Sequence, residues 1–139
     1  MGARNFPPAG CVRLWMTGGG LGLTSRSLLK LAQLYENGGA WKGKQVISRE
    51  WVEKSVAPHA NAREGVDYGY LWWLQKFGKG DRKSAAFYMA GNGGSKIAAF
   101  PDLHAVVVIT STMYGTIKGH QQSEQMLNEY IVPALFPKQ

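Results

Sequence analysis

Cysteine and acidic residues are scarce in this 139-residue chain: Cys11 stands alone, and nine Asp and Glu face sixteen Lys and Arg. A lone cysteine excludes an intrachain disulfide framework and leaves the redox compartment undetermined. No apolar run approaches the roughly 20 residues of a membrane-spanning helix. Residues 1–17 hold no continuous apolar stretch and are interrupted by Pro7-Pro8, so no signal peptide is read there. The three histidines, His59, His104 and His120, lack metal-ligand spacing, and no metal or cofactor is expected. No pair of carboxylates is placed for glycosidase chemistry. The Gly18–Gly22 run lacks the Lys of a phosphate-binding loop and an upstream strand, which argues against phosphate cradling.

The deficit of acids gives a net charge of +7. Such a charge favours anionic partners in general. The basic residues nevertheless come in ones and twos, as Lys42/Lys44, Lys76/Lys79 and Arg82/Lys83, with no arginine-rich arm or aromatic RNA-binding signature. They read as a solvated basic surface, not a nucleic-acid interface.

What is abundant is glycine, with 18 residues, and aromatics, with five Trp, six Tyr and five Phe. Hydrophobic residues make up 45% and charged residues 18%, which describes one folded domain over 1–139. Residues 1–17 read as an irregular entry, with Val12–Met16 a short extended piece, followed by a glycine-rich turn over Gly18–Leu23. Thr24 or Ser25 then caps a helix over Ser25–Glu36 that places Leu28, Leu31, Ala32, Leu34 and Tyr35 on one face. Asn37-Gly38-Gly39 ends it, supplying the left-handed geometry common at helix C-termini. Trp41–Ile47 reads as a short hairpin. Ser48 caps a second helix with Trp51, Val52 and Val56 inward, stopped by Pro58, and 59–67 reads as a loop.

Strands are expected at Tyr68–Phe77, Ala86–Ala90, Ser95–Phe100 and Ala105–Ser111, the last two joined by Pro101-Asp102-Leu103-His104. A last helix near Gly119–Ile131 turns Met126, Leu127, Tyr130 and Ile131 toward the sheet and is limited by Pro133. The expectation is an α+β fold: two N-terminal helices, an antiparallel sheet of about four strands and a covering C-terminal helix.

The most informative stretch is Tyr88–Ile97, where Gly91-Asn92-Gly93-Gly94-Ser95 leaves backbone bare between two strands. Glycine weakens a strand interior, so such a cluster marks a bend or a close approach. Tyr70, Trp72, Trp73, Phe87 and Tyr88 are candidate cleft walls, with sheet core as the ordinary assignment for most of them.

Six segments in order carry a resemblance. They are Gly18–Ser25, Leu34–Gly39, Trp41–Lys44 with Ile47–Val52, Tyr68–Trp73, Gly91–Gly94, and Pro101–Leu103 before the valine strand. Over roughly residues 9–135 the chain resembles the C-terminal part of the β-lactamase-related serine hydrolases. That superfamily includes class C β-lactamases, penicillin-binding DD-peptidases, esterases and 6-aminohexanoate-oligomer hydrolases, and many members are periplasmic or secreted. The resemblance implies a partial β-lactamase/transpeptidase-like fold and acyl transfer to water from amide, lactam or ester substrates. In such enzymes the Ser of S-x-x-K attacks a carbonyl, the Lys and a Tyr or Ser of a second motif move protons, and water resolves the acyl-enzyme. It also implies that the Ser95 backbone N–H donates to the oxyanion, with Gly91, Asn92, Gly93, Gly94 and Trp72 binding substrate. Losing one such donor costs about 3 kcal/mol of transition-state stabilisation. Ser95 stands where that branch carries Gln.

Ser27-Leu28-Leu29-Lys30 spells S-x-x-K, and Tyr35-Glu36-Asn37 spells Y-x-N. Eight Ser and ten Lys make one chance S-x-x-K unsurprising. Both motifs share one helix, whereas the family places the second on a separate, distant loop, so Ser27 and Lys30 are read as coincidental matches. The chain is therefore expected to hold one wall of an acyl-transfer site without its nucleophile, and to pair with itself or with a complementary N-terminal fragment. Alternatives are a free-standing binding module and a small esterase that does use Ser27 and Lys30.

Overall fold

A computed structural model describes residues 23–137. The irregular entry, the signal-peptide reading, Cys11 and the glycine turn from Gly18 lie outside the described residues.

Helix α1, Ser25–Glu36, begins where the Thr24 side chain accepts from the Ser27 amide, and Asn37 caps its end. Gly38 and Gly39 follow at φ 61° and 83°, as a helix terminus of this kind requires. Strands β1, Ala40–Trp41, and β2, Lys44–Gln45, form the small hairpin. Ser48 caps α2, Arg49–Ser55, by accepting from the Trp51 amide. Of its expected inward residues Val52 is buried, but Trp51 is exposed and stacks on Tyr70 instead.

The main sheet is antiparallel throughout, with strands in sequence order: β3 Ala60–Arg63, β4 Val66–Tyr68, β5 Trp73–Lys79, β6 Arg82–Gly91, β7 Ser95–Phe100 and β8 Ala105–Ile109. Six strands replace the expected four or so. The extra pair forms because 59–67, read as a loop from its polarity, closes a hairpin at Glu64-Gly65, with Gly65 at φ 71°. β3 is wholly exposed and carries no hydrophobic alternation to betray it. The expected single strand Tyr68–Phe77 is also split. A turn at Gly69–Trp72 closes with the Gly69 amide on the Trp72 carbonyl, and the Tyr70 amide bonds the Ser55 carbonyl, tying the end of α2 to the sheet.

Period-two alternation gives the sheet two faces. Phe87, Ala99 and Val106, with Leu74 and Met89, form one with Trp72 and Tyr35, and α1 packs over β7 and β8. Phe77, Ala86, Tyr88, Ala98 and Phe100 form the other, under Leu127 and Val132 of the C-terminal helix. The result is three layers around a central sheet.

That C-terminal helix departs from the expectation in two ways. It consists of α3, Lys118–Gln125, a π turn over Met126–Ile131 and α4, Val132–Leu135. The π turn holds one residue more than an α turn, so Ser123, Leu127 and Val132 all point inward at offsets of four and then five. Met126 and Tyr130 therefore face solvent, not the sheet. Pro133 does not end the helix. It stands at the start of α4, directly after the π turn.

Candidate functional site

The hairpin joining β6 to β7 places Gly91, Asn92, Gly93, Gly94 and Ser95 at one end of the sheet. Gly91 and Ser95 are register partners, and the Gly94 amide bonds the Gly91 carbonyl at 3.1 Å. The Ser95 hydroxyl donates to the Ser111 carbonyl at 3.2 Å and accepts from the Ser111 amide at 3.1 Å. It thereby clamps the hairpin base to the end of β8. A hydroxyl engaged in both directions is a scaffold, and it fixes the backbone of Ser95 in place.

Most of the bare backbone is occupied from within the chain. The segment 111–119 folds over the hairpin: the Met113 amide reaches the Gly93 carbonyl at 3.3 Å, and the Gly115 amide reaches Asn92 Oδ1 at 3.4 Å. A Cβ on Gly93 would come to 2.9 Å from the Tyr114 ring, and one on Gly94 would overlap the Gly119 carbonyl. Conversely, a Cβ on Gly119 would come to 2.5 Å from the Gly93 oxygen. Gly93 and Gly94 are buried and Asn92 is exposed. The expectation that this whole run lies open to a substrate is thus corrected: its glycines admit the start of α3. Gly91 is the exception, since a Cβ there would meet nothing nearer than the Ser95 Cβ at 3.6 Å.

The other expected site residues are dispersed. Trp72 is 3% exposed, with its ring 4.7 Å from Tyr35 and 5.0 Å from Phe87 between centroids, so it belongs to the core and lines no cleft. Ser27 lies in the first turn of α1, its hydroxyl 3.0 Å from Thr24 Oγ1, and Lys30 is exposed. Among the described residues no hydrogen bond joins Ser27 to Lys30. Tyr35 packs against Trp72 and Phe87, and Asn37 is the helix C-cap, so Y-x-N is structural here. No cluster of three metal-type ligands occurs among the described residues, and no described helix is long and apolar enough to cross a membrane.

Sequence reasoning missed a polar group on the opposite face of the sheet. Lys96 lies within an otherwise apolar strand and is 2% exposed, with Nζ 3.2 Å from Glu124 Oε1 on α3. The ammonium also stands 4.9 Å from the centroid of the Tyr88 ring. The Tyr88 hydroxyl donates to Gln75 Oε1 at 3.1 Å. Burial pushes the Tyr88 phenol above its ordinary value, and the Glu124 charge adds to that, while Arg63 opposes it. The available signal was a lysine at the second position of Ser95–Phe100, in a strand whose remaining residues after it are all apolar, where a charge is out of place unless paired.

A cavity of about 670 Å³ opens on the α1 face between Val56, Pro58, Leu74, Phe87 and Pro101. Compared with known proteins, the chain matches no family model and no curated protein sequence.

Proposed function

We propose that this chain contributes part of an acyl-transfer site of the β-lactamase-related serine hydrolase type, acting on amide, lactam or ester bonds. Gly91 and the Ser95 backbone N–H would form the wall and oxyanion donor, and the nucleophile would come from outside residues 23–137. The observation that carries this reading is the pair Gly91–Ser95: a strand end where a Cβ would make only an ordinary contact with the Ser95 Cβ, beside a backbone held rigid by the Ser95–Ser111 clamp. Preorganised donors of that kind are what oxyanion stabilisation needs. The antiparallel sheet with helices on both faces agrees in architecture with the resemblance. The apolar cavity by Val56, Leu74 and Phe87 offers a surface on which a complementary fragment or second copy would pack.

The test uses nitrocefin and p-nitrophenyl acetate. The chain alone should turn over neither, and the chain extended by any in-frame upstream coding sequence bearing an S-x-x-K helix should turn over at least one. Gly91→Val should then lower that activity at least about tenfold by filling the wall. Turnover by the 139-residue chain that is abolished by Ser27→Ala would overturn the proposal in favour of a small esterase. Retardation of DNA or RNA at low salt would favour a nucleic-acid role instead.

A further inference from the structure

The face of the sheet under α3 holds a cavity of about 500 Å³ lined by Arg63, Trp73, Tyr88, Lys96, His120 and Glu124 among others. It lies on the side opposite Ser95, because Lys96 and Ser95 are adjacent in one strand and point to opposite faces. Its size falls within the range of small-molecule sites, about 300–1,000 Å³.

The chemistry of the lining is specific. Taking a lysine ammonium out of water is costly unless its charge and its donors are met. Lys96 carries three N–H donors. Among the described residues it makes one hydrogen bond, to Glu124 at 3.2 Å. A pair formed for structure alone would need only those two side chains closely packed, yet a cavity adjoins them. Arg63, on exposed β3, contributes a second cation with a fork suited to a carboxylate. Arg63 and Lys96 against Glu124 leave one uncompensated positive charge, which a monoanion neutralises. Half-buried Trp73 on β5, the register partner of buried Tyr88 on β6, makes an adjoining apolar floor.

We infer that this cavity is a binding site for a small organic monocarboxylate bearing a flat apolar group, its carboxylate held by Lys96 and Arg63 and its flat part resting on Trp73. Glu124 stays with Lys96 and orients the ammonium, while the ligand takes the remaining donors. A phosphate dianion fits less well, since its second charge would oppose Glu124.

Isothermal titration of the intact protein with benzoate tests this, with benzamide as the uncharged analogue of the same shape. Benzoate should bind saturably and benzamide at least about tenfold more weakly, the scale of a lost charge-assisted contact. Arg63→Gln, at an exposed edge position that leaves the core untouched, should weaken benzoate by roughly tenfold and abolish the preference over benzamide. Lys96→Met, checked for an unchanged thermal transition, should do the same. Failure of benzoate to bind at about 10 mM, equal binding of benzoate and benzamide, or benzoate binding indifferent to Arg63→Gln would each overturn the inference.

Discussion

Gly94→Ala separates the two uses of the glycine run, because the contact it disturbs is internal to the chain. Gly94 has φ +90°, and a methyl there would overlap the carbonyl carbon and oxygen of Gly119 at the start of α3. The left-handed conformation alone costs a residue with a side chain about 1–2 kcal/mol. Overpacking against backbone adds about 1–3 kcal/mol. Pushing Gly119 away also threatens the Met113–Gly93 hydrogen bond, worth about 1 kcal/mol. The expected loss is therefore about 3–6 kcal/mol, or roughly 10–20 °C in Tm for a domain of this size. Two controls divide that figure. Gly115 has φ +70° with open space around it, so Gly115→Ala should show the conformational cost alone, about 3–7 °C. Gly91, lacking both features, should tolerate alanine to within about 0.5 kcal/mol. Thermal unfolding followed by far-UV circular dichroism reads all three. If Gly94→Ala proves no worse than Gly115→Ala, the Gly94–Gly119 contact is not what the glycine serves, and the reasoning fails.

Three further outcomes follow from the opposite face. The Tyr88 phenol titrates higher in the folded than in the unfolded chain, so the folded state holds more protons and stability falls as pH rises past about 10. Tyr88→Phe should reduce that alkaline loss in a pH series of urea unfolding, and an unchanged slope would count against the buried phenol. Lys96→Met removes a buried charge but leaves Glu124 partly exposed, so stability should change little, whereas Glu124→Gln strands the buried ammonium and should cost up to about 3 kcal/mol; the reverse order in urea midpoints would refute this. Leu127→Ala, at a fully buried position in the π turn, should cost about 2–5 kcal/mol by the same measurement. A loss below about 1 kcal/mol would mean that the turn does not press this side chain into the core.

Local signals were legible where a residue has one dominant physical reason. Thr24 and Ser48 cap their helices, Asn37-Gly38-Gly39 closes α1, and Pro101 ends β7, all as side-chain chemistry and backbone geometry dictate. The α+β arrangement followed from these and from the alternation in β5–β8. Strands β3 and β4 escaped because Ala60–Arg63 is wholly exposed and offers no hydrophobic period. The inward side of the last helix was misjudged because a period of 3.6 cannot foresee an inserted residue, and Met126 and Tyr130 lost their place to Val132. At the site, the glycine run announced a close approach correctly in kind. Sequence could not say that the approaching group was Gly119, 25 residues on in the same chain. Nor could it pair Lys96 with Glu124, since only the fold brings β7 and α3 together.

The two outer strands of the sheet have unequal consequences for how copies of this chain can add to one another. At β3 the register slips between Asn61 and Arg63, and Asn61 turns its amide onto Asp67, so that border is irregular and polar. At β8 the sequence Ala105-Val106-Val107-Val108-Ile109 pairs regularly with β7 and has no strand on its far side among the described residues. It carries neither charge nor proline to discourage a newcomer. A copy adding to this sheet would meet an accommodating border only at β8. Two copies meeting through β8 about a twofold axis would make a continuous twelve-stranded sheet whose outer limits are both β3, a closed pair and not the seed of a fibre.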